Sequence, residues 1–359
     1  MKKIVLTGGG TAGHVTPNIA LLPALQAAGY EIAYVGSYEG IEKKLIADFN
    51  IPYTGISTGK FRRYLDPKNF SDPFRVMKGF VEARNYLKNY QPDVVFSKGG
   101  FVSVPVVRAA ASLHIPCIIH ESDMTPGLAN KLCIPVAEKV CCNFPETMKN
   151  IPADKAVLTG SPIRAELAQG SRLAGLNMCG FTANKPVIMV IGGSLGAANV
   201  NKAVRDALPK LLEDFQVVHL CGKDKIDNLL LNTPGYKQFE YIKAELKDIF
   251  AMADVVISRA GANAICELLA LKKPNILIPL PAASSRGDQL LNAASFEAQG
   301  YSIVLNEDDI TTNLLVDKGH ELYFNRQNYV EAMSRSHQMD AINTIMLLIN
   351  EAANKSHTQ

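Results

Sequence analysis

The stretch KKIVLTGGGTAGHVTP, residues 2–17, decides the fold. A short apolar run, Ile4 to Leu6, meets three consecutive glycines, which reads as a buried strand entering a tight turn. Thr16 then suits a helix cap, with Pro17 at the first helical position and Gly29 closing the helix. Pro23 sits inside that helix and argues against its being straight. Strand, glycine turn and helix in this order open a doubly wound α/β unit. Gly8, Gly10 and Gly13 also satisfy the G-x-G-x-x-G spacing of a dinucleotide-binding turn, and a lone histidine, His14, follows.

Working outward, strands and helices alternate. YEIAYVG, PDVVFS, IPCIIHES and KAVLTGS read as further buried strands of the first half. KPVIMVIGG, DFQVVHLCG, ADVVISRAG and KPNILIPLP do so in the second. Runs rich in β-branched and apolar residues, separated by helix-length stretches, predict parallel sheets with helices on both faces. The halves also echo each other. Gly9 to Gly13 and Gly192 to Gly196 both read G-G-[S/T]-x-G after a strand, and Asp93 to Ser97 is repeated as Asp254 to Ser258. Two similar Rossmann-like, doubly wound domains facing a cleft are expected, residues 1–162 and 163–340. TGSPIRAEL, near Ser161 to Leu167, is the expected hinge, and a helix at about 341–355 is expected to return to the first domain. Ligands of such sheets sit beyond the carboxyl ends of the strands.

Length and composition agree. At 359 residues, 47% hydrophobic and 20% charged, the chain can bury two cores. A net charge of +3 does not by itself suggest nucleic acid. The seven cysteines are scattered without a C-x-x-C, which predicts reduced thiols and no zinc or disulfide framework. The N-terminus lacks a signal-peptide pattern, and no apolar run is long enough to span a bilayer.

A nicotinamide site needs an acidic residue at the end of the second strand. That strand ends Tyr34-Val35-Gly36-Ser37, and Glu39 already lies in the loop. The second half carries the stronger nucleotide signal. In SRAGANAICELLA a strand ends at Ser258, Gly261 opens a helix, and Glu267 follows about one and a half turns in. A helix N-terminus suits a diphosphate, and a carboxylate beyond it can accept bonds from both ribose hydroxyls.

GGGTAGHVTP, KGGFVSVPVVRAA, IIHESDMTPGLANK, GSPIR, GGSLGA, SRAGANAICELLA and SRGDQLLNA occur in this order. Together, over nearly the whole chain, they resemble the bacterial lipid-II-forming N-acetylglucosaminyltransferases of peptidoglycan synthesis. The resemblance implies the two-domain GT-B fold. It implies inverting transfer of N-acetylglucosamine from UDP-N-acetylglucosamine to the 4-hydroxyl of the muramyl sugar of lipid I. Residue by residue, it places Ser194 at the diphosphate and Ile242 at the uracil. It sets Ala262, Asn263, Ala264, Ile265, Cys266 and Glu267 at phosphates and ribose, with Asp288 and Gln289 at the sugar hydroxyls. Arg164 falls at the hinge, and Thr11, Ala12, Gly13 and His14 at the donor sugar and reacting centre. Asp123 stands where some members carry Asn, and Asp288-Gln289 where some carry two glutamines. The replacements keep hydrogen-bonding side chains.

The chemistry needs a base for the acceptor hydroxyl and a stabiliser for departing UDP. Histidine suits the first by its pKa. His14 is the leading base, with Asp123 and Glu121 competing, while His120 is expected to fix a loop. No two aspartates are separated by a single residue, so no Asp-x-Asp metal pair is available. The expectation is that no metal or other cofactor takes part, and that a helix N-terminus with Arg164 holds the leaving group.

A lipid acceptor requires a membrane surface. Residues 60–88 hold eight Lys or Arg against three acids, with six aromatics among them. Phe61, Arg62, Arg63, Tyr64, Phe70, Phe74 and Arg75 are expected to face an anionic interface. Phe80 and Tyr86 are expected in the core. The expected location is peripheral, at the cytoplasmic face of the cell membrane. Other cell-wall synthesis proteins are the expected partners, and nucleic acid is not. Another UDP-sugar enzyme on this fold, such as a UDP-N-acetylglucosamine 2-epimerase or a different lipid glycosyltransferase, is the alternative.

Overall fold

In both halves the first strand lies in the middle of its sheet, because a right-handed crossover returns each later strand to one side or the other. The computed structural model describes residues 1–59, 72–193, 196–282 and 287–356. Contacts divide the chain into two units, Met1–Arg164 with Asp340–Gln359, and Ala165–Met339.

In the first unit the described strands are β1 (Lys3–Thr7), β2 (Glu31–Ser37), β3 (Tyr53–Ile56), β4 (Val94–Ser97), β5 (Cys117–Glu121), β6 (Lys139–Cys142) and β7 (Ala156–Leu158). They form one sheet of order β3-β2-β1-β4-β5-β6-β7, parallel throughout. Alternation sorts the side chains of β1 onto two faces. Val5 joins a core with Ala83, Leu87, Val106 and Val107, whereas Ile4 and Leu6 join a second core with Leu21 and Leu25. The helix Ala341–Ser356 lies on that second face. Ile345, Ile349, Ala352 and Ala353 form its buried stripe. Lys2 Nζ donates to Asn354 Oδ1 at 2.6 Å and Tyr30 Oη to Asn350 Oδ1 at 2.7 Å. Cys141 and Cys142 fall on opposite faces of β6, and all seven cysteines are buried and outside any disulfide.

In the second unit β8 (Val187–Ile191), β9 (Gln216–Leu220), β10 (Tyr236–Phe239), β11 (Val255–Ser258), β12 (Asn275–Leu277) and β13 (Ser302–Val304) pair in the order β10-β9-β8-β11-β12-β13, again all parallel. This is the 3-2-1-4-5-6 order of a doubly wound sheet, and the first unit repeats it with one strand added. The repeat extends to atoms. Asp93 Oδ2 accepts the Lys3 N–H at 2.6 Å, and Asp254 Oδ2 accepts the Val187 N–H at 2.8 Å. The backbone N–H of each aspartate donates back to the same residue, at 2.9 Å in both units.

One local expectation is corrected. Thr16 is the first residue of the helix Thr16–Ala27 rather than its cap, and its hydroxyl donates to the Ala12 carbonyl instead. Val15 takes the cap position because Ala12–His14 already forms a tight 3-10 turn that runs into the helix.

Candidate functional site

Sheet order fixes where each unit can bind a ligand. Strand order reverses between β1 and β4, and between β8 and β11, so the loops leaving these strands open the crevice at the carboxyl edge.

In the first unit the loop after β1 runs through Gly8–Gly13 to His14, and it meets the loop after β4. The Gly9 N–H donates to the Gly99 carbonyl at 3.4 Å. Gly99 and Gly100 both have positive φ, 94° and 85°. A Cβ on Gly100 would lie 3.3 Å from His14 Nδ1 and well inside ordinary contact of the Gly9 carbonyl oxygen. Only glycine allows this approach. His14 Nδ1 is 3.1 Å from the Gly9 carbonyl and 3.1 Å from Thr11 Oγ1. A carbonyl only accepts, so Nδ1 carries the proton and Nε2 the lone pair. Burial, reinforced by the Lys98 cation, lowers the His14 pKa to about 4.

Beneath this loop Lys98, 1% exposed, directs Nζ to His120 Nδ1 at 2.9 Å and to the Ser122 hydroxyl. His120 Nε2 then donates to the Gly160 carbonyl at 2.9 Å. His120 is fully buried, and burial together with Lys98 holds its pKa well below the usual value. It pins the chain near the end of the first unit and keeps away from solvent.

Glu121 was a competing candidate for the base. It is 4% exposed. Oε1 accepts the Asp123 N–H at 2.9 Å, while Oε2 accepts the Gly127 N–H at 3.0 Å and Asn130 Nδ2 at 2.8 Å. Burial raises its pKa, and these three bonds oppose the rise. Through these bonds the carboxylate shapes the 121–130 loop. Asp123 is partly exposed on that loop, its backbone held by Glu121 and by the Thr147 hydroxyl at 3.1 Å. Arg164, partly exposed, is the last residue before the second unit.

In the second unit Gly193 has φ 85° and Gly196 φ 68° in the loop after β8. Gly196 packs against the Cys221 carbonyl, and Lys225 Nζ donates to the Gly196 carbonyl at 3.2 Å. Ser194 lies outside the described residues. After β11, Gly261 precedes the helix Ala262–Ala270, whose N-terminus no side chain among the described residues is seen to cap. The space where a Gly261 Cβ would stand is open to 4 Å. The first turn of such a helix carries backbone N–H groups that suit a phosphate. Asn263, Ala264 and Glu267 are partly exposed on this helix, whereas Ile265 and Cys266 are buried in the core. Those two side chains turn away from solvent, and only their backbone can meet a ligand. Ile242 is likewise 5% exposed.

Sequence reasoning missed the residues that hold this edge together. Arg259 donates to the Ile278 and Pro279 carbonyls at 3.0 and 3.2 Å, and it pairs with Glu307. Asn292 Nδ2 donates to the Ala260 carbonyl at 3.1 Å. Gln289 Oε1 accepts the Leu280 N–H at 3.1 Å, so part of its amide serves the loop. Asp288 opens the helix Asp288–Ala298 after Gly287. The signals were present: an arginine directly after a buried strand, and an asparagine on the buried side of a helix.

The helix Asp72–Tyr90 carries the remaining expectation. Phe61, Arg62, Arg63, Tyr64 and Phe70 lie outside the described residues. Phe74 is 79% exposed, and Met77 and Val81, which sequence reasoning did not single out, are 64% and 53% exposed. The spacing i, i+3, i+7 puts them on one stripe, flanked by exposed Arg75 and Lys78. Phe80 and Tyr86 pack on the core. No helix among the described residues is long and apolar enough to cross a membrane, and no described cluster of three His, Cys, Asp or Glu could hold a metal ion.

Comparison with known proteins matches this geometry to a family. Residues 4–142 fit the glycosyltransferase family 28 N-terminal domain and residues 187–346 its C-terminal domain. The UDP-N-acetylglucosamine–N-acetylmuramyl-(pentapeptide) pyrophosphoryl-undecaprenol N-acetylglucosamine transferase of Lachnospira eligens is 64% identical, the match covering 98% of this chain and 99% of the relative. The enzyme of the same name from Clostridium botulinum strain Hall is 56% identical over the same shares. The crystal structure of Acinetobacter baumannii MurG superposes with a TM-score of 0.77 at 29% identity, covering 98% of this chain and all of that one. The chain therefore belongs to the UDP-N-acetylglucosamine–N-acetylmuramyl-(pentapeptide) pyrophosphoryl-undecaprenol N-acetylglucosamine transferases, within glycosyltransferase family 28 and on its GT-B fold.

Proposed function

We propose that this chain moves N-acetylglucosamine from UDP-N-acetylglucosamine to the 4-hydroxyl of the N-acetylmuramyl sugar of lipid I, with inversion, releasing lipid II and UDP. The observation that carries the substrate assignment is 64% identity along nearly the whole chain to an enzyme named for that donor and acceptor. Identity at that level does not favour the epimerase alternative.

The second unit binds UDP. The first turn of Ala262–Ala270 faces the diphosphate, Glu267 takes the ribose hydroxyls, and the Ile242 backbone meets the uracil. Asp288 and Gln289 reach the sugar. The first unit supplies the base. His14 offers Nε2 to the acceptor 4-hydroxyl, its Nδ1 proton being engaged by Gly9, and its lowered pKa keeps it unprotonated at neutral pH. Asp123 is the remaining candidate. A helix N-terminus with Arg164 stabilises departing UDP without a metal, each well-placed donor contributing about 3 kcal/mol to the barrier. The exposed Phe74–Met77–Val81 stripe with Arg75 and Lys78 docks on anionic lipid at the cytoplasmic face, where the acceptor headgroup is presented.

The test is incubation with labelled UDP-N-acetylglucosamine, with and without a lipid I analogue, in excess chelator. Label moves to the acceptor and UDP appears only when acceptor is present. Epimerised donor without acceptor refutes the reaction, and transfer restored only by magnesium or manganese refutes the metal-free step.

A further inference from the structure

Behind the glycine turn stands a buried carboxylate with no role in the scheme above. Glu42 lies in the helix Ile41–Ile46 just after β2 and is 0% exposed. Its Oε2 accepts the Gly10 N–H at 3.1 Å, and its Oε1 accepts the Ser37 N–H at 3.0 Å together with the Ser37 hydroxyl. Three donors face two oxygens, so both carboxyl oxygens act as acceptors. The surrounding backbone is shaped for it. A Cβ on Gly9 would fall 2.5 Å from the Glu42 carboxyl carbon, one on Gly36 would fall 2.8 Å from its Cγ, and one on Gly40 would meet the carboxylate itself.

The Gly10 N–H and the Gly9 carbonyl are the two ends of a single peptide group. Glu42 holds one end, and His14 Nδ1 holds the other. We propose that Glu42 is a positioning residue of the transfer reaction, acting through the Gly9–Gly10 peptide to keep His14 in the orientation and tautomer of a general base. The inference rests on His14 being that base. A buried carboxylate that aligns an imidazole is a familiar catalytic device, and here one peptide unit is inserted between them. The carboxylate draws the N–H, polarises the peptide, and leaves more negative charge on the Gly9 oxygen. That oxygen fixes the proton on Nδ1 and stabilises the positive charge His14 gains when Nε2 takes the hydroxyl proton. The peptide is a rigid plane, so it also transmits position.

A double-mutant cycle tests this. In Glu42→Gln, one end of the amide must oppose an N–H, of either Gly10 or Ser37. Glu42→Asp keeps the charge but withdraws it by one methylene. Each change is expected to lower kcat on the order of 100-fold, the effect of roughly 1 Å misplacement of a reacting group, with UDP affinity intact. In a His14→Ala background the same changes should alter kcat less than about twofold, since coupled residues lose additivity. A folded Glu42→Gln enzyme with normal kcat overturns the proposal. So does a full further loss in His14→Ala, the mark of a purely structural role. If His14→Ala itself turns over normally, the base assignment falls and this inference with it. A crippled His14→Ala enzyme with an additive cycle removes Glu42 alone.

Discussion

Gly100→Ala probes whether the His14 loop is held by close backbone approach or merely lies near it. Gly100 has φ 85°, a region that costs an alanine about 1–2 kcal/mol. Its Cβ would sit 3.3 Å from His14 Nδ1 and far closer to the Gly9 oxygen, the atom that orients the imidazole. Real Cβ atoms essentially never come within 3.0 Å of such a neighbour. Close-packed interiors relax only partly, so the Gly9 carbonyl must shift by roughly 1 Å, and kcat is expected to fall on the order of 100-fold. The melting temperature should drop by about 2–8 °C, as 1–2 kcal/mol does in a domain of this size. UDP affinity should stay within about twofold, because the proposed UDP contacts are all drawn from residues other than the His14 loop. The assay is steady-state transfer to a short-chain soluble acceptor, with UDP calorimetry and a thermal melt beside it. Normal kcat in the folded variant refutes the close-approach argument. Lost UDP affinity with normal kcat refutes the division of labour between units.

Glu267→Ala should weaken UDP binding by roughly 1.5–3 kcal/mol for each ribose bond lost to a charged acceptor; unchanged calorimetric affinity in the folded variant removes it from the nucleotide site. Phe74→Asp with Met77→Asp should release the protein from acidic-lipid vesicles while leaving the melting temperature and soluble-acceptor turnover intact, as both side chains are exposed, and high salt should weaken vesicle binding of the parent chain by screening. Undiminished sedimentation of the double variant sinks the docking stripe. The acid limb of kcat/KM should fall below pH 6.5, toward the His14 value of about 4. Stability has the same sign: the folded His14 pKa lies below the unfolded 6.5, so the unfolded chain takes up protons first and stability is lost as pH falls from about 6.5 to about 4. At 1.36 kcal/mol per unit this reaches about 3 kcal/mol at most. A stability profile identical in parent and His14→Gln between those limits contradicts the assignment.

The strands that sequence made plain are those buried on both faces. β1, β8 and β11 are continuous apolar runs because a parallel sheet covered on two sides leaves no polar position. The overlooked strands are weaker signals for physical reasons. Tyr53–Ile56, Tyr236–Phe239 and Ser302–Val304 lie at sheet edges, where one backbone side is unpaired and fewer apolar residues are required. Lys139–Cys142 is interior but four residues long and half cysteine. At the site, His14 drew attention because a histidine after a glycine turn has few structural reasons to be there, and its part as the base remains the proposal made above. The surroundings of Glu121 were not legible, because its bonds to Gly127 and Asn130 arise only when the chain turns back. Glu42 was invisible for the same reason: Ser37 is close in the chain, but Gly10 reaches it only from the loop after β1, which pairs with β2.

The two units show how one scaffold acquires two chemistries. Both use an aspartate to lock the fourth strand to the first, and both place a G-G-[S/T]-x-G loop at the switch point. They diverge in what fills the space behind that loop. In the first unit a carboxylate and a buried lysine bracket the turn, and the turn ends in a short 3-10 segment that presents an imidazole. In the second, Lys225 closes the loop from behind and Arg259 with Asn292 ties down the neighbouring loops. The helix Ala262–Ala270 follows Gly261 directly, with no side-chain cap among the described residues. A helix dipole needs no proton transfer to hold an anion, and an imidazole with one nitrogen fixed needs no net charge to accept a proton. The fold supplies a crevice in each unit, and on the proposed reading the residues behind the loops suit the second to charge and the first to a proton.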